Sequence, residues 1–392
     1  MRAALAFLLT AAAACGQAGP PGGGGGNRRV VERRETAPPV ASSSSAPAAG
    51  YLKGSTHVHT AHSGDSKTPI DEVVAWYVAH GYDFIVLTDH NRVSEYGGGA
   101  PLVVLRGIEL THNPATCEPP PPEADGKCRI HVNGIGVAAS AAASAVAAEA
   151  EGRPPALDWK NGSSALRVDM YQAAFDKTRE LGGIVQINHP TWHWGVDGAL
   201  LAELSRRGAV LVEIANMGFK TWSAGDDKHA GAEAVWDDAL GRGALIWGVA
   251  SDDAHDYDEL ADERQAAGAR VYPPGGGWVM VRAERSPEAI RAALERGDFY
   301  SSTGVTLDRA EVYDGALDVA VAAASPGRHQ IAFVGQGGAV LDRVDGRSAK
   351  FTLDRLAKGY VRAVVTREDG ARAWVQPVRV SERASRASER GP

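Results

Sequence analysis

A chain of 392 residues with 44% hydrophobic and 23% charged side chains has an ordinary globular composition but exceeds the usual size of one domain, so one large domain plus a smaller one is expected. The formal charge of -7 supplies no basic footprint for a phosphate backbone, which excludes a nucleic acid polymer as the expected partner. Of the three cysteines Cys15 falls in the N-terminal segment, and the two that remain, Cys117 and Cys128, are too few for a zinc site built from three or four thiolates.

The chain opens with one positive charge at Arg2, an apolar run over 3–14, and Cys15. That run is too short to span a bilayer and reads as a cleavable export signal. Ala12-Ala13-Ala14-Cys15 resembles a bacterial lipoprotein cleavage box, with alanine where leucine is commonest three residues before the cysteine. The resemblance implies lipidation of Cys15 and an exported protein, anchored on a bacterial membrane or periplasmic. Residues 16–50 are mostly Gly, Ala, Pro, Ser and Arg, cannot bury enough surface to offset their ordering entropy, and read as a flexible linker. Cys117 and Cys128 bracket a proline-rich loop, and in an exported protein this pair is expected to close a disulfide.

From Tyr51 the pattern alternates. The stretch 54–65 reads as a short strand that puts His57 and His59 on one face, with Asp65 at the start of the next loop, and 70–80 as an amphipathic helix with Pro69 at its start and Gly81 past its end. Compact apolar runs at 84–88, 102–105, 184–188, 210–214, 245–249 and 278–281 read as buried strands, and 169–181, 199–207, 230–241 and 286–295 as helices between them. Strands alternating with helices predict a mainly parallel sheet, and about seven such units fit a barrel. The Ala-rich stretch 138–162 interrupts the rhythm as a surface insertion. After Thr303 short alternating segments at 307–312, 317–321, 330–334, 350–353, 360–366 and 374–380 read as a small all-β sandwich, and 381–392 as a frayed tail.

In parallel α/β folds ligands collect at the carboxyl ends of strands. Here the polar residues stand there repeatedly: Thr88-Asp89-His90, Glu109, His131, Asn188-His189-Pro190 and Asp253-x-His255, besides His57-x-His59 and the following Asp65. Singly, each has an ordinary reading as a cap, a turn or a surface ion pair. Their recurrence at one end of the sheet points to a multinuclear metal site. His62, His80, His112, His193, His229 and His329 are expected to be surface or helix residues, with His193 a candidate for the pocket lining. Lys220 and Arg106, near strand ends, are candidates to meet an anionic substrate. The runs Gly97-Gly98-Gly99 and Gly275-Gly276-Gly277 lack the setting of a phosphate-binding loop.

These motifs, His57-x-His59, Thr88-Asp89-His90, Gly107-Ile108-Glu109, Asn188-His189-Pro190 and Asp253-x-His255, resemble those of the PHP (polymerase and histidinol phosphatase) family over about 54–304. The lipoprotein-like start, the segment Arg296-Gly-Asp-Phe-Tyr-Ser-Ser-Thr-Gly304 and the C-terminal β module resemble most the branch named after a carbaryl hydrolase. The resemblance implies a distorted seven-stranded (β/α)7 barrel and two to three divalent metal ions. Carried onto this sequence, His57, His59, Glu109 and Asp253 hold the first ion; Glu109 bridges to a second held by His131 and His189; Asp65, His90 and His255 hold a third. The family often has Ser-Asp-Gly where this chain has Ser63-Gly64-Asp65.

Mixed imidazole and carboxylate ligands suit Zn, Mn or Fe. Neighbouring ions lower the pKa of a bound water and polarise the attacked oxygen, so a metal-bound hydroxide is the expected nucleophile and no side chain is needed for that role. The expected function is therefore metal-dependent hydrolysis of a small-molecule ester, an anionic phosphate ester first. Alternatives are a carbamate, amide or carboxylic ester on the same centre, or a metal-retaining binding module without catalysis.

Overall fold

The computed structural model describes residues 50–138, 153–159, 164–258 and 261–381. The expected export signal with Cys15, the linker up to residue 49, most of the insertion at 138–162 and the segment 382–392 lie outside them. Among the described residues no helix is long and apolar enough to cross a membrane.

Up to Ser302 the described chain contains β1 (Tyr51–Val58), β2 (Phe84–Leu87), β3 (Val103–His112), β4 (Ile130–Ile135), β5 (Ile184–Ile187), β6 (Leu211–Asn216), β7 (Trp247–Ser251), β8 (Trp278–Arg282) and β9 (Phe299–Ser302). The helices Ile70–Ala79, Arg167–Glu180, Gly198–Arg206, Ala232–Gly241 and Pro287–Arg296 match the expected ones to within a few residues. Local chemistry sets their ends: Asp197 accepts from the amide of Leu200 at 2.7 Å, Ser286 from that of Ala289 at 3.2 Å, and Gly297 ends the last helix with φ 79°. Each helix buries one apolar face, such as Met170, Tyr171, Ala174 and Phe175, or Val235, Trp236, Ala239 and Leu240. A fully buried large apolar side chain of this kind contributes about 1.5–3 kcal/mol.

The sheet differs from the expected seven-stranded (β/α)7 barrel. One ladder of 13 strands runs β13-β12-β15-β16-β9-β8-β1-β2-β3-β4-β5-β6-β7, with β10 (Leu307–Tyr313), β11 (Ala316–Val321), β12 (His329–Val334), β13 (Val340–Asp345), β14 (Ser348–Thr352), β15 (Gly359–Arg367) and β16 (Arg372–Val380). Among the described strands only β1–β2, β2–β3, β5–β6 and β6–β7 pair in parallel. β4 is antiparallel to both β3 and β5, because the chain returns from β3 through the loop closed by the Cys117–Cys128 disulfide, and no crossover helix intervenes. The far end of the ladder nevertheless curls back onto β1. Val58 forms a parallel bridge with Ala254, just past β7, and the His59 amide donates to the Ala254 carbonyl at 3.0 Å. That curl brings the end of β1 beside the end of β7.

β16 pairs antiparallel with β9, so four C-terminal strands continue the large ladder. A separate three-stranded sheet, β10-β11-β14, packs on them with Leu317, Val319 and Phe351 against Ile331, Phe333 and Val365. One layer of the expected C-terminal sandwich is thus shared with the large sheet. Two further ties fix it: Gln376 of β16 exchanges two hydrogen bonds with the backbone of Gly248 on β7, and Arg362 of β15 binds Asp237 and Glu233 of helix Ala232–Gly241.

Candidate metal centre

Strand alternation places His57 and His59 on one face at the end of β1, and both are completely buried. Glu109 arrives on β3, which packs closely between its neighbours at Gly107: a Cβ there would lie 2.8 Å from the Leu87 carbonyl and 2.9 Å from that of Gly134, a fit only glycine allows. His131 stands on the paired strand β4, opposite Thr111. His189 and Asp253 follow β5 and β7 in the left-handed backbone region, with φ 27° and 54°. Such conformations persist where the surroundings over-determine them, and they cluster at functional sites.

The expected ligands converge. His57 Nε2 and His59 Nε2 each lie 3.1 Å from Asp253 Oδ1, and Glu109 spans the two, with Oε1 3.5 Å from His57 Nε2 and Oε2 3.6 Å from His59 Nε2. Three groups place their donor atoms within 4.8 Å of one another: His57, His59 and Asp253; Glu109, His131 and His189; and His59, Asp65, His90 and His255. His59 thus borders two groups, its ring stacked on His255 at 4.1 Å. The third group forms the mouth, with Asp65 half exposed and 3.0 Å from His90 Nε2.

His57 Nε2, His59 Nε2, Glu109 Oε2 and Asp253 Oδ1 are buried and make no hydrogen bond. Leaving such atoms unsatisfied is costly, of order 1–3 kcal/mol each. A divalent cation at their common focus would satisfy them together, so the residues present fit the expected ions.

A ring of hydrogen bonds fixes these side chains. Glu213 on β6, which carries no mark in the sequence, accepts from His57 Nδ1 at 2.7 Å, from the His189 amide and from Asn216 Nδ2. Asn188 donates to Glu109 Oε1 at 2.9 Å and to Asn133 at 2.8 Å. His59 Nδ1 meets Ser63 Oγ, and His90 Nδ1 meets Thr111 Oγ1. In Thr88-Asp89-His90 the aspartate buttresses the site: it accepts from the Thr60 amide and from the Thr60 and Ser94 hydroxyls. Asp252 takes three amides, those of Gly275, Gly276 and Gly277, at 2.7–2.8 Å. The glycine run is therefore a cradle after all, for a carboxylate of the chain itself.

Burial, reinforced by the neighbouring His255, pushes the His59 imidazole down to about 3, and burial takes His131 to about 4. Both rings are neutral near pH 7 and offer a lone pair. Burial would raise Glu109 and Asp253, but the surrounding imidazoles, His90 foremost for Glu109 and His57 for Asp253, hold both carboxylates below their usual range.

The remaining candidates disperse. Arg106 pairs with Glu95 at 3.0 Å. Lys220 lines a separate cavity beneath the C-terminal strands, with Glu233, Arg372 and Trp374. His62 bonds Ser94, His80 stacks on Trp76, His229 stacks on Trp194 and His329 bonds Ser325. His193 does line a cavity of about 680 Å³ that adjoins the centre. Asn113 on its wall places Oδ1 3.0 Å from His131 Nε2.

No family model matches the chain, and no curated protein sequence matches it. Among solved structures, a two-domain protein from Bacteroides vulgatus ATCC 8482, containing a predicted PHP-like metal-dependent phosphoesterase, is similar to 84% of this chain over 95% of its own length, with 16% identity and a TM-score of 0.39.

Proposed function

We propose that the chain is a metal-dependent hydrolase of phosphate esters. The observation that supports this reading is the convergence of His57 Nε2, His59 Nε2, Glu109 Oε2 and Asp253 Oδ1, buried without hydrogen bonds, on one focus. In this reading His57, His59, Glu109 and Asp253 hold one ion, Glu109, His131 and His189 a second, and Asp65, His90 and His255 a third. Bound divalent ions acidify water and polarise a phosphoryl oxygen.

The chain's own residues do the rest. Glu213 sets the tautomer of His57 by holding a proton on Nδ1, which turns Nε2 inward. Asn188 orients Glu109 through Oε1. Cys117 and Cys128 are joined to each other, which removes them as nucleophiles. Ions held by the three donor groups would supply positive charge for several oxygens of a tetrahedral phosphoryl group; a carbamate, amide or carboxylic ester offers one carbonyl oxygen. This favours the phosphate ester over those substrates.

The test is metal content by mass spectrometry, with turnover of a panel of phosphate esters and one aryl carbamate by the full chain. Two to three bound metals with phosphate release support the proposal. Metals with carbamate cleavage alone replace the substrate class, and protein that binds no divalent metal on reconstitution overturns the reading.

A further inference from the structure

The cavity beside the metal centre has a composition the hydrolytic chemistry does not require. Its lining includes Arg129, Arg270, Trp192, Phe219, Trp222 and Tyr272. The two arginines come from distant parts of the chain, one just before β4 and the other in the segment ahead of β8. Neither forms an ion pair with a carboxylate among the described residues. Arg129 Nη1 donates to the Cys128 carbonyl at 2.8 Å, and Arg270 Nε to the Tyr272 hydroxyl at 2.6 Å. Each guanidinium has five donors, so most of both forks stay available in the cavity. Both guanidinium-bearing side chains line this one cavity. Like charges held facing one space are costly unless an anion joins them.

None of the proposed metal ligands lines this cavity, which separates the feature from the hydrolytic site. The Arg129 guanidinium lies over the Trp192 ring at 5.1 Å, and that ring meets His189 at 5.1 Å and His131 at 5.5 Å. On the other side Arg270 lies over the Tyr272 ring at 5.8 Å, which in turn meets His255 at 5.4 Å and Phe219 at 5.7 Å. Each guanidinium therefore shares an aromatic neighbour with the metal-donor histidines, Trp192 on one side and Tyr272 on the other. The arginines thus offer an anion a place apart from the donors themselves.

We infer that the cavity is a second substrate subsite, which takes an ester whose leaving group is a flat ring bearing its own anion: Trp192, Phe219 and Tyr272 frame the ring, and Arg129 and Arg270 bind the distal carboxylate or phosphate. This rests on the reading of the metal centre as the place where the ester itself is bound. Guanidinium groups suit the task because their forks match planar carboxylate and tetrahedral phosphate alike, and flat rings seat well between aromatic side chains.

The probe is 4-carboxyphenylphosphonate, a non-hydrolysable aromatic ligand with an anion at each end, against phenylphosphonate, which lacks the distal carboxylate. Binding to the full chain loaded with metal is followed by titration calorimetry and by quenching of tryptophan fluorescence. The dianionic ligand is expected to bind at least about ten-fold more tightly, as hydrogen bonds to charged groups imply. In R129A/R270A the two ligands should converge in affinity, and R129K/R270K should retain part of the difference. Turnover of 4-carboxyphenyl phosphate and phenyl phosphate is measured beside it. If neither ester is cleaved but the arginine-dependent preference persists, the phosphoesterase reading fails and the subsite stands. Equal affinity of the wild-type chain for both ligands, or a preference unchanged in R129A/R270A, overturns the subsite whatever the turnover.

Discussion

Glu213 Oε1 lies 2.7 Å from His57 Nδ1, and neither side chain has any exposed surface. The pair is the inner half of a carboxylate–histidine arrangement whose outer half is the inward Nε2. Fixing the tautomer and raising the basicity of a ligating imidazole is worth about 10–100-fold in metal affinity. The variant E213Q keeps the volume and most of the hydrogen bonds but loses the charge. It is expected to lose metal affinity by that factor while retaining its far-ultraviolet circular dichroism. A chelator-buffered metal titration of both proteins checks it, and equal affinities would remove Glu213 from the site.

The prominence of one residue and the silence of another follow from what a sequence can display. His57, His59, His90, His189 and His255 stand at the ends of apolar runs, so position alone marked them. Glu213 stands inside one, between Val212 and Ile214, where a glutamate reads as noise; its meaning comes from His57, 156 residues away. Asp252 is similar, since its partners Gly275 to Gly277 lie 23–25 residues on. Strand existence was legible from hydrophobic runs, but strand direction was not. Ile130-His131-Val132-Asn133 shows a period and no orientation, so the reversal of β4 could not be read. The continuity of β9 into β16 was hidden for the same reason, because pairing partners leave no local trace. Arg129 and Arg270 are loop arginines with no pattern around them.

His59 borders two of the donor groups, so its loss should be felt at both. The substitution H59A removes a buried imidazole whose Nε2 makes no hydrogen bond, so little native bonding within the protein is lost through that atom. Metal content should fall by at least one ion per chain and turnover by more than about 100-fold, beyond what a supporting residue costs. Mass spectrometry of the purified variant and steady-state kinetics check both. Full activity with full metal content would refute the assignment of His59.

The disulfide Cys117–Cys128 closes a loop with a sequence separation of 11, and Arg167 holds that loop by donating to Cys117 Sγ and to the Pro119 carbonyl. Opening a loop of that size is expected to cost about 2–4 kcal/mol. Because Arg129 follows Cys128 directly, C117S/C128S should also loosen the arginine at the cavity. Thermal unfolding should show a lower Tm, and the affinity for an aromatic dianion should fall with it. An unchanged Tm would mean that the loop is held by Arg167 and its packing alone.

Arg362 is buried on β15 with Asp237 and Glu233 around its guanidinium, at 2.6–2.8 Å, and Tyr360 adds a hydrogen bond to Asp237 at 2.9 Å. Removing one partner of such a buried pair strands the other charge, so R362M should cost about 3–5 kcal/mol in urea unfolding. Acid should act on the same contact. Burial would raise Glu233, but Arg362 and then Arg372 hold its carboxyl below the usual range in the folded chain. A depressed folded pKa means that the unfolded chain binds the proton first, so this stabilisation is complete above the unfolded glutamate pKa of about 4.3 and is lost as pH falls through the folded value. Tm should therefore drop as pH falls below about 4, and E233Q should flatten that acid limb while lowering Tm at pH 7. Parallel melting curves for the wild type and E233Q across that range, with R362M as the reference for the broken contact, measure it; identical acid limbs in wild type and E233Q would show that Glu233 does not carry the acid sensitivity of this junction.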